Sequence, residues 1–252
     1  MEQLTDKDIE NIKISGEILK KSLRLVASMV KPGVSGRRLN DIAEESIRKY
    51  GAKPSFLNYS SSGEKPFPAS LCVSINEVIV HGIPSGEQII QEGDIVGLDL
   101  GVSYRGLCSD SAVTVIAGKP RDPNHKKLLD TTRESLQAGI KQAKAGNTTG
   151  DIGQAIEKVI VNKGFNVVKS LVGHGIGKNP HQEPQVPNFG KAGSGVRLVK
   201  NTAIAIEPMV VVGKNDLKTS RDGWSIQTMD KSMTAHFEHT VLITENGNLV
   251  IT

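Results

Sequence analysis

Apolar residues recur at helical spacing near the start of the chain. Ile9, Ile12, Ile18, Leu19, Leu23, Val26 and Met29 fall on one face and predict an amphipathic helix over about 6–30. Lys31-Pro32-Gly33 stops it. Ser35 can then cap a second helix over about 36–50, whose buried stripe is Leu39, Ile42, Ala43 and Ile47, and Gly51 suits the left-handed residue that closes a helix. A third helix is expected over about 125–143. Between the helices the chain is β-rich. Ser70 to Val80 runs into His81-Gly82-Ile83-Pro84, and Val167 to Val172, a buried-strand candidate, runs into Gly173-His174-Gly175. His81 and His174 each stand at a strand end beside glycine, where backbone comes close to a ligand. Ser55 to Pro68 reads as a loop, and Lys214 to Asp230 as a polar excursion carrying the only tryptophan, Trp224.

The segment Gly93 to Val113, GDIVGLDLGVSYRGLCSDSAV, reads as a β-hairpin. A two-residue turn at Tyr104-Arg105 makes Asp99 and Asp110 direct cross-strand partners, with Cβ atoms roughly 4.5–5.5 Å apart. A bulge at Gly106 would move that register by one. Two carboxylates so close in an apolar sheet repel. They call for a shared proton or for bound cations, unless the hairpin is an edge whose aspartates are solvated.

The pattern then repeats. Lys31 to Gly51 aligns without a gap on Lys144 to Gly164, 113 positions on. A long helix precedes each copy. Asp94 to Asp99 resembles Thr202 to Glu207, and Asp110 to Val115 resembles Glu238 to Ile243: in each pair an acid keeps its place relative to the apolar run. We read an internal duplication, about 6–120 and 121–252, within a single catalytic domain. Each half would deliver two carboxylates to the centre, Asp99 and Asp110 from one, Glu207 and Glu238 from the other.

Composition narrows the class. The chain has 252 residues with 37% hydrophobic and 23% charged content, which suits a soluble globular protein. The acidic start is no signal peptide, no apolar run reaches the length of a membrane span, and two cysteines, Cys72 and Cys108, suit a reducing compartment; the expectation is a cytoplasmic protein without membrane contact. A net charge of +4 with dispersed Lys and Arg and 4% aromatics does not indicate a specific nucleic-acid surface; weak attraction to an anionic body such as a ribosome is permitted.

Four converging carboxylates cannot all remain ionised without cations. Two divalent ions would neutralise them, and oxygen-rich ligation with one imidazole suits Mn, Fe, Co or Zn. Such a pair activates water for hydrolysis. His81 and His181 are available as proton shuttle and oxyanion donor. His125 is read as a helix-surface residue, His236 and His239 as structural, Cys108 as packing, and Cys72 as packing or pocket wall.

These residues together closely resemble a methionine aminopeptidase of the type I, bacterial kind, over essentially the whole chain. The matching stretches are Asn76 to Pro84, Gly93 to Asp99, Gly173 to Gly177, Glu183 to Val186, Ile206 to Met209 and Phe237 to Thr240. The resemblance implies the α/β (α+β) pita-bread fold: two pseudo-twofold halves with antiparallel sheet covered by helices on one side. It implies Asp99, Asp110, His174, Glu207 and Glu238 as metal ligands, with Asp110 and Glu238 bridging. It assigns Glu207 to proton transfer, His81 to the scissile amide nitrogen and His181 to the tetrahedral intermediate. The substrate it implies is the N-terminus of a nascent polypeptide, whose initiator methionine is removed when the second residue is small. A monovalent cation near the backbone of Asn76 and Val78 is part of the same picture. Phe67, Cys72, Trp224 and Tyr59 take pocket positions. Pro180 departs from the family, which has phenylalanine before the residue matching His181, and the Tyr59 to Lys65 loop is longer than usual; both bear on the pocket's shape.

Three rivals share the fold. An Xaa-Pro peptidase usually carries a sizeable N-terminal domain, and Ser70 lies too near the start for one. A non-catalytic binding protein of this fold has usually lost metal ligands, whereas all five are present. A type II enzyme expects a helical insertion between His174 and Glu207, for which there is no room. A monomer is expected.

Overall fold

The computed structural model describes residues 2–60 and 65–252. Four helices lie among them: α1 (Asp6–Ser28), α2 (Gly36–Lys49), α3 (Pro123–Gln142) and α4 (Thr149–Asn162). Their starts follow from caps. Thr5 and Asp8 exchange bonds at the head of α1, Thr148 and Asp151 do so at α4, and Ser35 Oγ accepts the Arg38 N–H at 3.2 Å. Helices α2 and α4 have the same length, 14 residues, and glycines with φ of +72° and +85°, Gly51 and Gly164, follow them.

Strands Ile95–Tyr104 and Leu107–Ile116 form the expected hairpin, and Leu71–Ile75 and Lys53–Pro54 pair with the outer edge of the first. The register differs from the expectation. The turn is Arg105-Gly106, with φ of +49° and +81°, because a two-residue turn that matches strand twist needs positive φ at both central positions and glycine supplies the second. Tyr104 therefore pairs with Leu107, Asp99 with Ala112 and Asp110 with Gly101. A shift of two keeps the face. The aspartates are diagonal neighbours on one side of the ribbon rather than direct partners.

The second half builds a five-stranded antiparallel sheet in the order Gly247–Val250, His239–Thr244, Thr202–Ile206, Gly173–Ile176, Gln182–Val186. The expected strand over 167–172 shrinks to Asn166–Val167, and His174 lies inside the 173–176 strand rather than beyond a strand end. Its flanking glycines explain this: a Cβ at Gly173 would sit 2.4 Å from the Ala205 carbonyl oxygen, and one at Gly175 2.2 Å from that of Glu183. Two short three-stranded sheets complete the fold. One joins Thr234–His236, Met209–Val211 and Asn166–Val167, and the other joins Leu217–Thr219, Ile226–Thr228 and Val78–Val80.

Helices cover one face of each main sheet. Leu19, Val26, Leu39 and Ile47 pack on Leu71, Leu98 and Leu100 in one core. Leu128, Leu136, Ile152 and Ile156 pack on Ile204, Ile206, Val241 and Ile243 in another. Strand alternation then turns Asp99, between Leu98 and Leu100, away from the helices. His125, expected on the helix surface, is buried in the first turn of α3.

Hydroxyl groups stitch the halves together. Thr240 Oγ1 accepts the Asp110 N–H and donates to the Asp110 carbonyl, both at 2.8 Å. The Glu238 N–H donates to the Ala112 carbonyl at 3.0 Å, and Ser111 Oγ donates to the Glu238 carbonyl at 2.6 Å. Thr114 Oγ1 donates to the His236 carbonyl at 2.6 Å. A hydroxyl donates once and accepts twice, so each one replaces a ladder rung where no regular pairing continues. This seam brings the 107–116 strand alongside residues 236–240.

Candidate metal centre

The sheet faces turned away from the helices meet around a cavity of about 610 Å³. All eleven residues singled out from the sequence line it: Tyr59, Phe67, Cys72, His81, Asp99, Asp110, His174, His181, Glu207, Trp224 and Glu238. The hairpin delivers Asp99 and Asp110. Glu207 follows the 202–206 strand, Glu238 precedes the 239–244 strand, and His174 points in from the 173–176 strand. Donor atoms of Asp99, Asp110 and Glu238 all lie within 4.8 Å of one another, and so do those of His174, Glu207 and Glu238. Glu238 belongs to both groups, which is the arrangement a bridging ligand requires.

Burial and mutual repulsion set the electrostatics. Desolvation pushes Asp99 up to about 7. It raises Asp110 well above the carboxylate range, reinforced by Glu238 and Asp99. Glu207 and Glu238 are driven up in the same way, first by burial and then by their acidic neighbours. Without a counter-charge the cluster holds protons. Asp99 Oδ1, Asp110 Oδ1 and Glu238 Oε1 are buried and have no hydrogen-bond partner among the described residues, which is costly unless a cation takes those lone pairs. His174 is prepared as a ligand. Its Nδ1 lies 3.0 Å from the Gly175 carbonyl, so that nitrogen carries the proton and donates, leaving the Nε2 lone pair free on the cavity side. Nε2 stands 3.4 Å from Glu207 Oε1, and burial pushes the imidazole down to about 4. Four carboxylates and one neutral imidazole are a donor set that fits divalent cations.

The walls are aromatic. Tyr59 faces the His181 ring at 5.0 Å, and His181 lies 4.3 Å from the His174 ring. Trp224 meets Phe67 edge-on at 5.3 Å and His81 at 6.1 Å. His81 has φ +58°, a conformation that is uncommon outside glycine and costs roughly 1–3 kcal/mol. Pro180 does not line the cavity; Tyr59 supplies ring surface beside His181 instead. Of the longer loop, residues 61–64 lie outside the described residues. Cys108 packs away from the cavity against Ile176 and Leu242. At the backbone suggested for a monovalent cation, Thr234 Oγ1 lies 2.8 Å from the Asn76 carbonyl and 3.1 Å from that of Val78.

One reading is corrected. His236, taken as structural, lines the cavity, with Nε2 3.6 Å from Glu207 Oε2. Its place two residues before Glu238 in the sequence was the signal. His239, on the opposite face, is tied to Thr252 Oγ1 at 3.0 Å as a structural residue should be.

Comparison with known proteins decides the family. The model of metallopeptidase family M24 matches residues 10–245. The chain belongs to metallopeptidase family M24. Within that family, this M24 chain is 43% identical to a methionine aminopeptidase of Aquifex aeolicus, over 100% of this chain and 98% of that protein. It is 40% identical to methionine aminopeptidase 1 of Bacillus subtilis, over 98% and 97%. A crystal structure of a methionine aminopeptidase from Thermotoga maritima superposes with a TM-score of 0.95 at 40% identity, covering 100% of this chain and 99% of that one. A prolidase from Pyrococcus horikoshii shares the fold at TM-score 0.78 and 23% identity, but the M24 chain spans only 63% of it. The expected pita-bread α/β fold is therefore the fold of these neighbours.

Proposed function

We propose that this metallopeptidase removes the N-terminal methionine from nascent polypeptides whose second residue is small. The observation that carries the reading is the convergence of four buried carboxylates and an imidazole with a free Nε2 in one aromatic-walled cavity. Two divalent ions, Mn, Fe, Co or Zn, would be held by Asp99, Asp110, His174, Glu207 and Glu238, with Asp110 and Glu238 as the ligands that would serve both. When bound, they neutralise the acid cluster and acidify the water that attacks the peptide carbonyl.

The chain's own groups do the rest. Glu207 takes the proton released by that water, and the proton passes to the leaving amide nitrogen as its bond to carbon breaks. His81, held in its left-handed backbone at the cavity wall, directs an imidazole to that nitrogen. His181 donates to the oxyanion on the opposite side. Phe67, Cys72, Trp224 and Tyr59 enclose the methionine side chain, Tyr59 covering the flank that Pro180 leaves bare. Asn76 and Val78 offer carbonyls to a monovalent cation. The enzyme acts as a cytoplasmic monomer of one catalytic domain, with at most weak ribosome contact.

We read that domain as a duplication. In its support, the caps Ser35 and Thr148 stand 113 positions apart, and Gly33 and Gly146, at the same spacing, have φ of +89° and +92°.

Metal-reconstituted protein should release Met from Met-Ala-Ser and nothing from an Ala-Pro peptide. Each of the four metals should be tried. Protein that binds metal, leaves Met-Ala-Ser intact and cleaves the Ala-Pro bond would move the assignment to an Xaa-Pro peptidase.

A further inference from the structure

We infer that His236 is a positioning residue for Glu207, holding its carboxylate by a hydrogen bond from Nε2–H to Oε2. The inference rests on the metal-centre reading above and extends it to a residue outside the ligand set. Glu207 is bracketed by two imidazoles: His174 Nε2 is 3.4 Å from Oε1 and His236 Nε2 is 3.6 Å from Oε2. The two are not equivalent. His174 places its proton on Nδ1, facing the Gly175 carbonyl, so its Nε2 accepts or ligates. His236 Nε2 is buried and has no hydrogen-bond partner among the described residues, and Glu207 Oε2 is the acceptor beside it. A shift of a few tenths of an ångström closes that bond.

The backbone at 236 is fixed for such a role. Its N–H donates to Thr114 Oγ1 at 3.0 Å, and its carbonyl accepts from the same hydroxyl at 2.6 Å. The residue also pairs with Met209, two positions after Glu207. The imidazole is thus aimed from the seam between the halves into the cavity that Glu238 also lines. One oxygen of Glu207 is turned toward His174, while the other faces the His236 tether. A neutral donor does this without adding a positive charge that would repel the metals. Outer partners of this kind typically change metal affinity or activity by about 10–100-fold.

The test compares His236→Leu, which keeps bulk and loses the donor, with His236→Gln, which keeps an N–H donor. Manganese binding by calorimetry and the kcat and KM for Met-Ala-Ser are read on the metal-loaded parent and both variants. The expected result for His236→Leu is weaker binding at the His174–Glu207 position and a fall in kcat, each by about tenfold or more, with KM within about twofold. His236→Gln should recover most of both. Equal loss in the two variants, or Leu behaving as the parent, overturns the inference. A second measurement needs no variant: ¹⁵N-histidine spectra of the metal-loaded parent should place the His236 proton on Nε2, and a proton on Nδ1 instead overturns it. If the parent binds two manganese ions but spares Met-Ala-Ser, the substrate reading fails, while the calorimetric comparison and the spectra still decide the role of His236.

Discussion

Removing the metals should make the protein's stability depend steeply on pH just above neutrality. In the folded, metal-free protein burial lifts Asp99 to about 7, and burial and acidic neighbours hold Asp110, Glu207 and Glu238 well above the ordinary carboxylate range. Unfolded, all four ionise near 4. Above that point the native state binds more protons than the unfolded chain, so stability falls as pH rises toward the folded pKa values. The buried histidines act in the opposite direction: His174 and His239 are pushed to about 4, His181 and His236 to about 3. Their contribution is complete above the unfolded value near 6.5 and is lost only at lower pH. The interval from pH 7 to 8 therefore isolates the carboxyls. Each proton retained across that interval is worth about 1.4 kcal/mol per pH unit. At roughly 2–4 °C per kcal/mol for a chain of this size, the midpoint of chelated protein should drop by about 3–6 °C for each proton so retained. Metal-loaded protein should hold level or rise, since the bound cations keep the carboxylates ionised. Scanning calorimetry at pH 7 and 8, with and without chelator, measures both. A metal-free midpoint that stays put or climbs across that interval would refute the placing of four buried acids in one cluster.

Other outcomes follow from particular contacts. Asp110→Asn should lower both bound metal after dialysis and turnover by at least about tenfold, because an anion shared by both sites is lost; metal analysis and the Met-Ala-Ser assay check it. His81→Ala should cut kcat by about a hundredfold while metal stoichiometry stays unchanged, which separates proton handling from ligation. Gly175→Ala drives a methyl to within 2.2 Å of the Glu183 carbonyl oxygen; about 1–3 kcal/mol of stability and some metal affinity should go with it, read by urea unfolding and calorimetry. Thr148→Ala removes a capping box far from the cavity and should cost about 1 kcal/mol with unaltered kinetics.

Much of the architecture was legible because it rests on local rules. The cap Ser35, the glycines that end α2 and α4, and the apolar stripes of the helices act over one or two turns. Acids embedded in apolar runs betray themselves wherever they occur, which is why Asp99, Asp110, Glu207 and Glu238 stood out. His174 was visible through its glycines, though not its position within a strand. The register of the hairpin was misjudged because it depends on where positive φ falls, at Arg105 and Gly106 rather than Tyr104. His125 and His236 were misjudged because single histidines carry no periodic signal, and their burial depends on what packs over them.

The sequence by itself determined the order of elements, the inventory of ligand types and, through resemblance, the family. The tertiary structure alone decided which atoms meet. Thr240 clasping Asp110, Ser111 reaching Glu238 and Thr114 holding His236 are bonds between residues more than a hundred positions apart. Propensity and capping act through the neighbouring backbone, so their outcome can be read along the chain. The seam between the halves depends on two finished sheets presenting matching hydroxyls and carbonyls, and only their packing brings Glu207 within reach of both His174 and His236.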